Sequence, residues 1–544
     1  MSFDWTNPYP TARTPVFARN VVATSQPLAA QAGLRTLQAG GNAVDAAIAA
    51  AAVITMTEPC SNGLGSDNFA IVWDPTSRQL LGLNASGIAP AAWTLDYFRS
   101  KHGNRAPRPP VRGWDSVTVP GAVAGWAMLH RRLGRLPFDQ VLAPAIDYAE
   151  RGFAVSPIVQ DKWQRAAPLL ATQPGWAEHF LPNGKVPAVG QHFVLRGAAR
   201  TLRLIAASKG EDFYQGEIAA AIAAHANANG GALTVADMAA CWDFIQSDGW
   251  VGTLSTHFAG YELHEIPPNG QGIAALSCLG ILRHTRLADY KVDTADWQHV
   301  MIEAMKLGFA DAYAYVADPR AMKVSPSALL DDGYLAERAR LIDMKRAQPF
   351  AAGTPPKGGT IYLSAADESG MMVSLIQSNY MGFGSGVVVS GYGISLQNRG
   401  YGFVLDAAHP NCVAPGKRPF QTIIPAFLTR AGEPVMSFGV MGGNMQPQGH
   451  VQTLVRMLLA QQQPQAACDA PRWKWMQDLD LEIESSMPID VSDELARRGH
   501  RITRSDDSYM DFGAGQFIWR LGDPTRDGYV AASDPRRDGL AAGC

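Results

Sequence analysis

Residues 357–378 read KGGTIYLSAADESGMMVSLIQS, with two glycines and a threonine set directly ahead of an alternating segment. Residues 360–366 and 372–378 alternate as half-buried strands do, and residues 367–370 have turn composition, so the pattern predicts a β-hairpin beginning at Thr360. Glycine before a strand is ordinary turn punctuation. The threonine opens a second reading. A hydroxyl is a poor nucleophile until a base removes its proton, and a threonine at a chain N-terminus can use its own α-amine. That amine has an unperturbed pKa of about 7.7–8.0, so a useful fraction is free base near neutrality.

Thr360 is internal, so this chemistry requires cleavage of the Gly359–Thr360 bond. Gly359 lacks a side chain and tolerates a strained backbone, which lets the Thr360 oxygen reach its carbonyl for an N-to-O acyl shift and hydrolysis. The small, proline-containing run AQPFAAGTPPKGG, residues 347–359, reads as a linker that would let the new end move away. Gly359 and Thr360 are therefore the expected cleavage site and Thr360 the expected nucleophile.

Outward from this stretch, residues 27–38 carry Ala30, Leu34 and Leu37 at helical spacing, Gly40 and Gly41 end that helix, and a second starts near Asn42. NFAIVWD and QLLGLNAS read as the first strands, joined by a turn at residues 75–77. From Met128 to about Ala351 the pattern is mostly helical. Downstream, GVVVS, GISLQN and PVMSFGVMGG read as strands, the last running into a helix from about Gln448 to Ala460. Gly442 and Gly443 lie at that corner, where two successive N–H groups could point at one oxygen as an oxyanion hole does, or simply make a tight turn. A helix-rich first part and a strand-rich second part imply helices layered on central sheets.

The totals agree with a well-packed enzyme. Of 544 residues, 47% are apolar, 17% charged and 53 are glycine, enough for two to four ordinary units or one large layered domain. Lys plus Arg (46) nearly balance Asp plus Glu (49), and no basic block points to nucleic acid or an anionic membrane. Cys60, Cys241, Cys278, Cys412, Cys468 and Cys544 are scattered without metal-like spacing, which suggests a reduced, cytoplasmic setting and no metal. The N-terminal residues lack the basic start and apolar run of a secretory signal. AAIAAAAVITM, residues 46–56, is shorter than the roughly 20 residues a membrane span needs and reads as a buried helix. His409 and His450 are expected to be structural, and the tryptophans of RWKWMQD to be core anchors.

Several stretches, in order along almost the whole chain, resemble the gamma-glutamyltransferase (gamma-glutamyltranspeptidase) family of N-terminal nucleophile hydrolases. They are GGNAVDAAIAAAAVITMTEPCSNGLG, VPGAVAGW, PPNGQGIAAL, GGTIYLSAADESG, FGSG, NRGYGF, GKRPFQTIIP, GVMGG and RRGHRI. The resemblance implies an α+β fold, a four-layer αββα sandwich. It also implies a precursor (a zymogen) that cuts itself into residues 1–359 and 360–544, which remain together as one structural domain. The two fragments would form a heterodimer, which further pairing of heterodimers could extend. Thr360 falls on the family nucleophile, Ser378 on a hydroxyl that aids cleavage, and Gly442 and Gly443 on the oxyanion pair.

The substrate pocket departs from that pattern. The arginine by which gamma-glutamyl enzymes clamp the substrate α-carboxylate is replaced by Ser86, and their serine pair by Gln421 and Thr422. Their amine-binding positions hold Tyr380, Arg399 and Gly402. A bidentate arginine is not replaced geometrically by serine, whereas Arg399 could meet a substrate carboxylate from the opposite side or serve as an ordinary paired arginine. The pattern looks most like the divergent bacterial branch of the family. The expected activity is cofactor-free hydrolysis or acyl transfer on a small amide or gamma-glutamyl-like substrate, with water or an amine as acceptor. A true gamma-glutamyltransferase or glutathione hydrolase, and an uncleaved binding relative, are the alternatives.

Overall fold

The computed structural model describes residues 3–350, 360–507 and 512–544; Gly359, and with it the expected scissile bond, lies outside the described residues. The hairpin forms as its alternation predicts. Strand Ile361–Ala366 pairs antiparallel with Met372–Ser378, Ile361 facing Gln377 and Ala366 facing Met372. This hairpin is the centre of a seven-stranded sheet ordered Leu540–Gly543, Val21–Thr24, Ile361–Ala366, Met372–Ser378, Asp67–Asp74, Gln79–Ala85 and Trp250–Val251. Every neighbouring pair is antiparallel. A second antiparallel sheet has the order Val16–Ala18, Tyr529–Ser533, Ala514–Arg520, Glu433–Met441, Ala426–Arg430, Tyr261–Glu265 and Leu254–Phe258.

Successive side chains of a strand point to opposite faces, so a sheet buried on both sides sorts its apolar residues by parity. Val22, Ala70, Val72, Leu363, Ala365, Val373 and Leu375 face helices Pro27–Gln38 and Ala43–Thr57. Their alternates Val21, Ala23, Phe69, Ile71, Tyr362, Met372 and Ile376 meet Phe427, Met441, Ala514, Ile518 and Ala531 of the second sheet. The far face of that sheet, with Leu428, Met436, Phe438, Val440 and Phe517, packs on helices Gly272–Leu282, Ala295–Tyr315 and Met445–Leu459. The result is an αββα sandwich. Helix Ala43–Thr57 is buried at every residue, as a helix apolar all round must be, and a reciprocal capping box of Asn42 and Asp45 fixes its start. Among the described residues no helix is long and apolar enough to cross a membrane.

The core between the sheets is not wholly apolar. Ser364 Oγ lies 2.6 Å from Ser437 Oγ, Tyr362 Oη lies 2.7 Å from Ser374 Oγ, and Ser374 Oγ donates to Phe438 O at 3.2 Å. These bonds satisfy buried hydroxyls and pin one sheet on the other.

The structure corrects four readings. Strands Val16–Ala18 and Val21–Thr24 precede the two expected to come first. Leu254–Phe258 and Tyr261–Glu265 form a hairpin within the segment read as helical; the polar Thr256 and Glu265 on its buried side weaken its alternation. GVVVS and GISLQN contract to the two-residue strands Val388–Val389 and Ile394–Ser395. The helix after Gly443 begins at Met445 rather than Gln448, because Pro447 sits in a first turn where its missing N–H has no partner to lose.

A β-carbon at Gly439 would lie 2.5 Å from Cε2 of Tyr362, whose ring is fully buried. Gly439→Ala is expected to destabilise the protein by about 1–3 kcal/mol through overpacking, read as a lower urea midpoint with fluorescence as the probe.

Candidate active site

The antiparallel register that pairs Ile361 with Gln377 brings Thr360 opposite Ser378. Their hydroxyl oxygens are 3.1 Å apart, and Thr360 is 1% exposed. Ser378 Oγ also accepts the Tyr380 N–H at 2.7 Å. Tyr380 has φ 77°, a left-handed backbone that is uncommon outside glycine. The preceding residue holds it there: the Asn379 N–H donates to Ser61 O at 3.1 Å, and Asn379 Oδ1 accepts Ser66 Oγ–H at 2.7 Å. The chain thus leaves the strand at a fixed angle just past Ser378.

The second sheet carries the glycine corner to the same level. Ser364 faces Ser437 and Tyr362 lies on Gly439, so the next two-residue step places Met441 across from Thr360 and Gly442 just beyond it. Gly442 (φ 126°) and Gly443 (φ 61°) both occupy the region that favours glycine, and a β-carbon on Gly442 would sit 2.9 Å from Gly513 Cα. Their carbonyls accept the N–H groups of Met445 (3.1 Å) and Gln446 (3.2 Å), which starts the helix Met445–Leu459. Gln271 Nε2 donates to both Gly443 O (2.9 Å) and Thr422 O (2.7 Å) and so ties this corner to the next group of residues.

That group is polar and buried. Arg399 Nη1 donates to Thr422 Oγ1 at 2.9 Å, and its guanidinium carbon lies 4.7 Å from the centre of the Tyr380 ring. Gln421 Nε2 donates to Asp67 Oδ2 at 2.6 Å, while Asp67 Oδ1 accepts the N–H groups of Gly87 (3.1 Å) and Gly121 (3.0 Å). Burial pushes the Asp67 carboxyl up to about 6, although Arg399 and these donors pull the other way. Burial also lowers Arg399, to about 10, against the raising effect of Asp67. Ser86 is fully buried; its hydroxyl donates to Asn84 Oδ1 at 2.7 Å and lies 3.3 Å from Asn269 Nδ2. Gly402 lies in the short helical turn Arg399–Gly402, where its carbonyl accepts Asn411 Nδ2.

Thr360, Ser378, Tyr380, Arg399 and Thr422 therefore form one run of direct contacts. Gln421 joins it through Asp67, and Ser86 borders it through Gly87. Asp67, Asn379 and Gln271 were not singled out from sequence. Asp67 had a signal: an acid opening a run, DNFAIVW, that is otherwise too apolar to face water must find buried partners.

Neither singled-out histidine belongs to this run. His450 Nδ1 lies 2.8 Å from Glu265 Oε1 in the helix layer; burial lowers the imidazole to about 3 and raises the carboxyl. His409 Nε2 contacts Tyr313 O at 3.1 Å. His299, Glu303 and His500 bring possible metal-ligand atoms within 4.8 Å of one another, but Lys306 Nζ already occupies Glu303 Oε1 at 2.6 Å and supplies the positive charge there.

Residues 29–544 match the gamma-glutamyltranspeptidase family. The glutathione hydrolase-like YwrD proenzyme of Bacillus subtilis is 34% identical over 96% of this chain and 98% of its own length. The oxamate amidohydrolase proenzyme of Klebsiella pneumoniae is 35% identical over 95% of this chain and 97% of its own. Among solved structures, the cephalosporin acylase of Bacillus halodurans superposes with a TM-score of 0.92 at 46% identity, covering 99% of this chain and 98% of that one. The sandwich is thus the N-terminal nucleophile hydrolase fold, and the chain belongs to the gamma-glutamyltranspeptidase family, as an enzyme of its amidohydrolase and acyltransferase class.

Proposed function

We propose that the protein matures by cutting itself between Gly359 and Thr360 and then hydrolyses or transfers the acyl group of a small amide through a threonyl ester. The observation that carries this reading is the 3.1 Å contact of Thr360 Oγ1 with Ser378 Oγ at the first residue of a central hairpin. In maturation Thr360 Oγ1 attacks the Gly359 carbonyl, the C–N bond breaks, and water hydrolyses the resulting ester to a Gly359 carboxylate and a free Thr360 amine. Ser378, held by the Tyr380 N–H, orients the attacking hydroxyl. In turnover the Thr360 amine takes the hydroxyl proton as the oxygen attacks the substrate carbonyl. The N–H groups of Gly442 and Gly443 receive the developing oxyanion. The amine then returns its proton to the leaving nitrogen, and water or an acceptor amine cleaves the ester.

The pairing of Ile361–Ala366 with both Val21–Thr24 and Met372–Ser378 supports a lasting heterodimer of residues 1–359 and 360–544, since cleavage ahead of the strand leaves its ladders intact. A reducing, cytoplasmic location is part of the proposal; it accords with six cysteines that form no disulfide. The Klebsiella relative's name as an oxamate amidohydrolase and the Bacillus halodurans acylase favour amides other than gamma-glutamyl ones, as does Ser86 at the clamp position. The family match itself keeps gamma-glutamyl transfer as the second reading.

On a denaturing gel the purified protein is expected to run as two chains, the smaller beginning Thr-Ile-Tyr-Leu-Ser on N-terminal sequencing. Thr360→Ala should give one full-length band and no turnover; an uncut but active wild type would sink the assignment. Ser378→Ala should slow self-cleavage roughly tenfold or more, equivalent to about 1.4 kcal/mol of barrier. Because the free amine is the base, kcat/KM should fall as pH drops below about 7.7–8.0 and level off above it; a flat profile across that range would remove the amine from the mechanism.

A further inference from the structure

The stretch PPNGQG, residues 267–272, takes no part in the chemistry above, yet it sends one side chain to the glycine corner. Gln271 is fully buried and caps the N-terminus of helix Gly272–Leu282. Its backbone is fixed. The Gln271 N–H donates to Gln421 O at 2.9 Å, the Gln421 N–H donates to Asn269 O at 2.9 Å, and Gln271 O accepts the Ala274 N–H at 2.9 Å. The side-chain amide nitrogen carries two hydrogens, and both are used, one on Gly443 O (2.9 Å) and one on Thr422 O (2.7 Å). The amide has only this orientation, because Oε1 in place of the nitrogen would face two carbonyl oxygens with no hydrogen between them. Gln271 is therefore a fork of two donors standing on a helix end. The glycines need such an anchor: at φ 126° and 61°, without β-carbons, their peptide planes are set by what their carbonyls meet. Gly442 O meets the Met445 N–H and Gly443 O the Gln446 N–H, both from the turn that the corner itself begins. Among the described residues, Gln271 is the one donor to these two carbonyls that comes from another element.

We propose that Gln271 is a positioning residue for the oxyanion site: its grip on Gly443 O keeps the Gly442 and Gly443 N–H groups aimed at the reacting carbonyl, and its bond to Thr422 O fixes that corner against the wall of the pocket. Gln271 touches no reacting atom and acts through Gly443. The fork belongs to residues 1–359 and the corner to residues 360–544, so one proposed fragment aligns the oxyanion donors of the other. Oxyanion donors stabilise a transition state only when held in place beforehand, and a misplacement of about 1 Å costs roughly a hundredfold in rate. The inference deepens the acyl-enzyme reading of Thr360 and rests on it.

The test follows whichever of the pentanoyl, glutaryl and γ-glutamyl p-nitroanilides the mature wild type hydrolyses fastest. Gln271→Met keeps the length of the side chain and removes both donors. It should still give two chains on a denaturing gel, and kcat should fall roughly tenfold to a hundredfold while KM stays within about threefold of wild type. Gln271→Glu supplies a readout that a loosened fold would not move. Ionised, its carboxylate faces two carbonyl oxygens and is repelled; protonated, it donates to one of them. Burial there raises its pKa, so kcat/KM should decline at alkaline pH, where the wild type is level. The shape of that profile does not depend on how much of the sample is active, so it decides if Gln271→Met fails to fold. Wild-type kcat in Gln271→Met, a loss carried mainly by KM, or a Gln271→Glu profile parallel to the wild type overturns the inference alone. A folded variant that no longer cuts itself also overturns it, since Gln271 would then serve maturation. A wild type that hydrolyses none of the three anilides overturns the acyl-enzyme reading and the inference with it.

Discussion

The register of one hairpin governs everything else in this molecule. A slip of one residue between Ile361–Ala366 and Met372–Ser378 would turn every side chain to the opposite face and carry Thr360 away from Ser378 toward the helix layer. The register is held from three sides. Val21–Thr24 and Asp67–Asp74 pair along the two outer edges of the hairpin, and Ser364 and Tyr362 lock onto Ser437 and Gly439 of the opposing sheet. The backbone of the proposed nucleophile therefore stands at the end of a strand that cannot move without disturbing both sheets, and Ser378 holds its hydroxyl. The strand's own pairings begin at Ile361, so the cut proposed ahead of Thr360 would leave them in place.

The glycine corner opposite is held by close packing and by the neutral Gln271 amide, with buried charges one step further out. Gly513 presses on Gly442, and residues just beyond it are fixed by Asp534, whose Oδ2 accepts the Gly515 N–H at 2.8 Å and Arg472 Nη2 at 2.6 Å. Burial would raise the Asp534 carboxyl, yet Arg472 and Arg536 outweigh it and hold it near about 2. Arg536 also reaches Glu484 at 2.5 Å. Removing one member of such a buried set leaves an uncompensated charge, which is far costlier than the net worth of the pair. The set thus fixes the start of strand Ala514–Arg520, next to the Gly513 that packs on Gly442.

The pocket contrasts with that set of opposed charges. Asp534, Arg472, Arg536 and Glu484 answer one another, whereas Arg399 keeps two donors unmet in an equally buried setting.

Local pattern in the sequence determined what depends on near neighbours. The hairpin from Thr360 to Ser378, the helix Pro27–Gln38, the capped start at Asn42 and the glycine corner before Met445 could all be read from spacing and turn chemistry, and the ordered motifs carried the family and the αββα class. Tertiary structure decided what depends on partners distant in the chain. The edge hairpin Leu254–Glu265 has a weak alternation because the polar Thr256 and Glu265 occupy buried positions, where they find partners only in the folded protein. That Asp67 would be satisfied by Gln421 as well as by the nearer Gly87 and Gly121 follows from packing segments that, for Gln421, lie over 300 residues apart. Periodicity records which face of an element is buried, but only the assembled fold fixes what each buried polar group finds there.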